Sequence, residues 1–132
     1  MHQNVKILIV DDMADCRCLA REMLAKSTLY TMEISEAIDG QEVLDRLCYG
    51  KECPDIILLD LNMPGMDGYE FLKRYKLLGL CHEGRKIYLP SSETAERIKA
   101  AIADLNIVDG FFEKPMNQEN LAQLEFDLGR NA

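Results

Sequence analysis

The sequence predicts an α/β fold: a doubly wound sheet of five parallel strands with helices on both faces, in a single domain. Three observations carry this. Short apolar runs alternate five times with segments whose apolar residues recur at helical spacing. Strands separated by helices imply parallel crossovers, right-handed by the usual rule. The chain has 132 residues, which suits one domain large enough to bury roughly two-thirds of its unfolded surface.

Val5 to Val10, VKILIV, is β-branched and apolar, as a strand buried on both faces requires. Residues 15–26 place Leu19, Met23 and Leu24 at helical spacing, with Asp15 as the candidate N-cap. Tyr30 to Ala37 reads as a second strand, weakened by Glu33 and Ser35. Gln41 to Tyr49 carries Val43, Leu44 and Leu47 on one helical face, and Asp55 to Leu59 is the third strand. Tyr69 to Leu80 follows as a helix with Phe71, Tyr75 and Leu78 at i, i+4 and i+7. A loop, Cys81-His82-Glu83-Gly84, precedes the fourth strand, Lys86 to Leu89. Ile98, Ile102 and Leu105 mark the fourth helix, and Gly110-Phe111-Phe112 is a short fifth strand closed by Lys114-Pro115. Leu121, Leu124 and Leu128 mark a last helix, capped by Asn117. No repeat, linker or low-complexity tract interrupts the series.

Composition narrows the class. Hydrophobic content of 48% and charged content of 29% are those of an ordinary globular protein. A net charge of −8 without a basic run speaks against nucleic acid and anionic membrane as partners. The start, Met1-His2-Gln3-Asn4, lacks the features of a signal peptide, and no apolar segment approaches the ~20 residues of a membrane span. Five cysteines, an odd number, then indicate reduced thiols in a cytoplasmic protein. Cys16 and Cys18 are two residues apart and face different ways on a helix, and the four-ligand spacings of structural zinc are missing.

In an open parallel sheet, ligands gather beyond the carboxyl ends of the strands. The first strand ends with Asp11-Asp12 and the third with Asp60. The fourth ends with Pro90-Ser91-Ser92 and the fifth with Lys114. Three carboxylates, a pair of hydroxyls and one ammonium therefore converge on one edge. Clustered carboxylates repel each other, which raises a pKa or calls for a cation. Mg²⁺ suits one or two carboxylates plus water and phosphate oxygens. With Lys114 they make a site for a small oxyanion such as a phosphoryl group, whose transfer needs positioning and charge neutralisation. Asp60 is the candidate acceptor, since an Asp can serve as a covalent nucleophile. It leads into a loop whose Pro64 and Gly65 fix the backbone. Singly, each residue has a plainer role: Asp60 as a turn residue, Asp11-Asp12 as acids near a helix N-terminus, Lys114 as a solvated charge.

These residues resemble the receiver domain of two-component response regulators. The resemblance covers essentially the whole chain. Its marks are Asp11-Asp12, Asp60, the run Asn62-Met63-Pro64-Gly65-Met66-Asp67-Gly68, and Lys114-Pro115. It implies a flavodoxin-like sheet of order 2-1-3-4-5, as in a chemotaxis receiver. It implies a stand-alone receiver over residues 1–132 with no output domain, cytoplasmic, serving as a phosphoacceptor rather than an enzyme of turnover. Asp60 would take a phosphoryl group from a histidine kinase or phosphotransfer protein. Asp12, Asp60 and the Asn62 backbone carbonyl would bind Mg²⁺, with Asp11 in support. Lys114 would contact the phosphoryl oxygens, and the resemblance allows a cis Lys114–Pro115 bond. Signalling would pass to a downstream protein effector through the face of the fourth helix, fifth strand and fifth helix. Phe111 stands where receivers keep an aromatic that moves on activation, or is plain core.

One position departs from the family pattern. Receivers end the fourth strand with Thr or Ser. Counted from Asp60 without a gap, that place holds Pro90, which has neither a hydroxyl nor an N–H. Ser91 could supply the hydroxyl after a one-residue shift. Pro90 therefore either just ends the strand or alters the coupling between phosphorylation and shape change. The alternative reading of the chain is a degenerate receiver that binds a partner independently of phosphorylation. A phosphohydrolase of the haloacid dehalogenase type fits less well. Its nucleophile follows the first strand, with a second Asp two residues on, where this chain has Asn62.

Overall fold

The computed structural model describes residues 3–50, 52–63, 65–66, 68–80, 85–91, 95–103 and 105–130. The elements run β1 (Gln3–Val10), α1 (Ala14–Leu24), β2 (Tyr30–Ala37), α2 (Gly40–Cys48), β3 (Ile56–Leu59), α3 (Gly68–Leu77), β4 (Lys86–Ser91), α4 (Ala95–Ile102), β5 (Gly110–Glu113) and α5 (Gln118–Gly129). All pairings are parallel, in the order β2-β1-β3-β4-β5. The expected fold and strand order are those observed.

Position in the sheet explains strand composition. β3 is central and all four of its residues are buried. β2 is an edge strand, which is why Glu33, Ser35 and Glu36 are tolerated in it. The side chains separate by parity into two cores. Leu8, Val10, Ile57, Leu59, Ile87 and Leu89 pack with Phe71, Leu72 and Ile102 from α3 and α4. Ile7, Ile9, Ile56, Leu58, Tyr88 and Phe112 pack with Leu24, Leu121 and Leu124 from α1 and α5. In the second core the Tyr88 ring stacks on Phe112 at 5.1 Å. Its hydroxyl donates to Asp127 Oδ2 of α5 at 2.6 Å.

Helix starts follow local chemistry. Asp39 caps α2 by accepting from the Glu42 N–H, and Glu42 accepts from Ile38 N. Asn117 and Asn120 form a reciprocal capping box at α5. Asp15 is not the cap of α1. Met13 holds that place with no side-chain bond, and Asp15 lies in the first turn, where its charge suits the helix dipole. Three further expectations need correction. Leu19 and Leu78 are exposed rather than inward-facing, and Leu72 takes the place in the core foreseen for Leu78. α4 ends at Ile102, so Leu105 lies beyond it in a turn. Asp55 precedes β3 rather than opening it, and its carboxylate accepts from Lys6 N. The expectations for Pro64, Asp67, the 81–84 loop, Ser92 and the side chains of Ser91 and Ile98 lie outside the described residues. No described helix is long and apolar enough to cross a membrane.

Candidate functional site

The parity that splits the core also builds the site. Ile7 and Ile9 point to the α1/α5 face, and continuing the alternation puts Asp11 there. The same count puts Asp60 after Leu58 and Lys114 after Phe112 on that face. Backbone bonds carry the register past the strand ends. Asp11 N–H donates to Ala37 O at 3.1 Å, and Asp60 N–H to Val10 O at 2.9 Å.

The carboxylates of Asp11, Asp12 and Asp60 each place an oxygen within 4.8 Å of the others. Asp11 and Asp60 are buried, whereas Asp12 is exposed. Lys114 Nζ lies 2.7 Å from Asp11 Oδ2 and 3.3 Å from Asp60 Oδ2. The peptide bond after it, Lys114–Pro115, is cis. Asp11 Oδ1 accepts from Met13 N at 2.9 Å, and Asp60 Oδ1 accepts from Asn62 N at 3.2 Å. Each buried carboxylate thus has one oxygen on Lys114 and the other on a backbone N–H.

Electrostatics follow from crowding and burial. Burial raises the Asp60 carboxyl above the ordinary range; the Lys114 charge opposes this, and the Asp11 charge adds to it. Burial alone would lower Lys114, but the hydrogen bond to Asp11 and the charges of Asp60 and Asp11 raise it overall, so it remains an ammonium at neutral pH. Three carboxylates against one ammonium leave a net negative charge among oxygen donors. That donor set fits a hard divalent cation such as Mg²⁺.

The loop behind Asp60 is held close. Gly68 N–H donates to Leu61 O at 3.0 Å. A Cβ on Gly68 would stand 2.6 Å from Leu61 Cα and 2.8 Å from Asp60 O, so only glycine fits there. Gly65 has φ +79°, the left-handed region. Asn62 is exposed at the rim.

Pro90 sits beside the acids. A cavity of about 220 Å³ is lined by Asp60, Lys114 and Pro90, together with Leu19, Leu58 and Met116. The strand tolerates proline for a geometric reason. Even-numbered residues of β4 turn their backbone toward β3, as Lys86 N–H does to Asp55 O. Odd-numbered ones face β5, where Asp109 N–H reaches Ile87 O. The nitrogen of Pro90 therefore faces β3 beyond the last paired residue, Leu58↔Tyr88, where the ladder has stopped. Ser91 pairs with Glu113 in register. Phe111, half-buried, lies on the opposite face with Lys99 Nζ 5.5 Å from its ring centre.

Sequence reasoning missed Arg17 and Glu36. Arg17 Nη1 donates to the backbone carbonyl of Asp11 at 2.8 Å, and its Nε donates to Glu36 Oε1 at 2.7 Å. The available signal was an acid in the penultimate position of a strand beside the acidic pair. Cys16 also lines the cavity; burial, then the Asp11 charge, pushes its thiol up.

Comparison with known proteins agrees with this geometry. Sporulation initiation phosphotransferase F of Bacillus subtilis is 45% identical over 75 residues, covering 57% of this chain and 56% of that protein. The chain spans 32–51% of the length of three other curated relatives. A two-component response regulator from Cytophaga hutchinsonii superposes with TM-score 0.85 at 23% identity, over 98% of this chain and 99% of that one, which shows the fold. The Vibrio cholerae chemotaxis protein CheY4 does so with TM-score 0.75 at 29% identity, over 94% and 98%. The model of the response regulator receiver domain matches residues 7–124, which takes in every strand end described above, and the chain belongs to that family of two-component signalling proteins.

Proposed function

We propose that this chain is a cytoplasmic receiver. It accepts a phosphoryl group on Asp60 in a Mg²⁺-dependent reaction and signals through a protein partner. The observation that carries the reading is the ammonium of Lys114 held between Asp11 and Asp60, with the exposed carboxylate of Asp12 in the same acidic cluster. A carboxylate oxygen of Asp60 attacks phosphorus, forming an O–P bond as the N–P bond of a phosphohistidine breaks. The departing imidazole nitrogen takes up a proton from water. The donor is a histidine kinase or a phosphotransfer protein.

The remaining residues divide the work. Lys114 follows the phosphoryl oxygens as charge builds on them. Asp12, Asp60 and the Asn62 carbonyl would hold Mg²⁺, with Asp11 in support, and the cation would neutralise phosphoryl charge. Ser91, next to Pro90 in the chain, would supply the hydroxyl that receivers place at the end of this strand. The output face is α4, β5 and α5, with Phe111 among its residues.

A second reading is a degenerate receiver that binds its partner without phosphorylation. Pro90 favours it, because that residue lies beside Asp60 without a hydroxyl. The two readings separate on one assay. Incubation with a small phosphodonor and Mg²⁺ adds one phosphoryl group by intact mass, and Asp60→Asn abolishes the gain. Uptake by Asp60→Asn would refute the acceptor. No uptake by the wild-type protein, with no Mg²⁺ binding by calorimetry, would support the binding module.

A further inference from the structure

We propose that Arg17 and Glu36 form a brace that positions the Asp11–Asp12 turn, and so sets the affinity of the acidic site for a divalent cation. The proposal rests on the Mg²⁺ reading above. Arg17 is on the second turn of α1, its own N–H bonded to Met13 O at 3.1 Å. Its guanidinium spans two acceptors with two different nitrogens. Nη1 reaches the Asp11 carbonyl at 2.8 Å and Nε reaches Glu36 Oε1 at 2.7 Å. Glu36 is itself immobilised. Its other carboxylate oxygen takes a bond from Arg21 Nη2, and its carbonyl takes one from Arg46 Nη1 at 2.6 Å. The hydrogen bonds from Arg21 and Arg17 hold the Glu36 carboxyl below its ordinary range, so it stays ionised.

The consequence lies in what this fixes. Asp11 is held on every side: its N–H by Ala37 O, its carboxylate by Lys114 and Met13 N, its carbonyl by Arg17. That carbonyl belongs to the peptide joining Asp11 to Asp12. Fixing its orientation fixes where the Asp12 carboxylate is presented, and Asp12, being exposed, has less packing to hold it than Asp11 or Asp60. Groups that orient metal ligands typically change affinity by about tenfold or more when lost. The fork matters as well as the charge, since a lysine offers one nitrogen and cannot span both acceptors as the guanidinium does.

Arg21 provides the control. It shares Glu36 with Arg17, but Arg17 and not Arg21 bonds the Asp11 carbonyl, so loss of Arg21 leaves both bonds of the Arg17 guanidinium in place. Mg²⁺ binding by calorimetry should weaken roughly tenfold in Arg17→Met, Arg17→Lys and Glu36→Ala, and stay within about twofold in Arg21→Met. In metal-free protein, amide exchange at Asp12 and Met13 should quicken in Arg17→Met but not in Arg21→Met. Equal Mg²⁺ affinities in the Arg17 and Arg21 variants, or full rescue by lysine, would overturn the brace. If Arg17→Met fails to fold, Glu36→Ala against Arg21→Met makes the same comparison. Absence of Mg²⁺ binding by the wild type would sink the metal reading instead. The exchange arm would still decide the brace, and unchanged exchange in Arg17→Met would refute it.

Discussion

The two flanks of Asp60 are built differently. On the β1 side, Asp11 has its N–H, carbonyl and carboxylate all bonded, and Lys114 ties it to Asp60 across the site. On the β4 side stands Pro90, without a hydroxyl or an N–H, at the point where the ladder to β3 has ended. One flank is a fixed array of charges suited to phosphoryl chemistry. The other offers a saturated ring with neither a hydroxyl nor an N–H to bond. Under the proposed function, chemistry and switching would be carried by different strands and could be lost separately.

The largest effect should come from breaking the fixed flank. Lys114→Met should slow phosphorylation by a small phosphodonor about 100-fold or more, because a preorganised charge aimed at the phosphoryl oxygens is gone. It should also destabilise the fold by about 1–3 kcal/mol, since Asp11 and Asp60 then face each other without a cation. Rate constants and denaturant melts measure both. A variant phosphorylated as fast as wild type would remove Lys114 from the chemistry.

A smaller effect, of opposite sign, tests the crowding of acids. Burial holds the Asp60 carboxyl above its ordinary range. A raised carboxyl stabilises the fold below its unfolded pKa, and that contribution is lost as pH rises through the higher folded value. At neutral pH the charged form is therefore a cost, and Asp60→Asn should melt roughly 3–5 °C higher. Loss of the Lys114 pairing works against the gain. The gain should shrink as pH falls through the raised value, where the wild-type acid becomes neutral. A difference that is flat with pH would contradict this.

The smallest change in chemistry should come from the other flank. Pro90→Thr should leave the phosphorylation rate within about threefold, as positioning and charge stay in place. It should enlarge the response: amide exchange across α4, β5 and α5 should differ more between phosphorylated and unphosphorylated protein than in wild type. If the rate instead rises more than tenfold, β4 contributes to the chemistry and the division between flanks fails.

The sequence made the charged flank legible because strand ends are marked by abrupt changes of composition. The short run Ile56-Ile57-Leu58-Leu59, set between helical segments, reads as a buried strand, so the acid after it falls at the sheet edge. Parity then puts Asp11, Asp60 and Lys114 on one face without any long-range information. The Arg17–Glu36 brace was not legible in the same way. Glu36 lies in an edge strand of mixed composition, where an acid usually means only exposure, and its partner comes from a helix 19 residues earlier. Leu19 and Leu78 misled because helical spacing gives a stripe but not its width. α1 buries only Leu24 fully, and α3 stops at Leu77, one residue short of Leu78. Asp15 looked like a cap by residue type, but the turn carrying Asp11 and Met13 puts the cap two residues earlier, at Met13.

Under the proposed function Asp60, and no other acid of the cluster, receives the phosphoryl group. Borohydride reduces an aspartyl phosphate to homoserine, so trapping after treatment with Mg²⁺ and a small phosphodonor, followed by peptide mapping, reads the acceptor directly. Homoserine is expected at position 60 and at neither 11 nor 12. Homoserine at Asp11 or Asp12, or at none of the three despite saturating Mg²⁺, would contradict it.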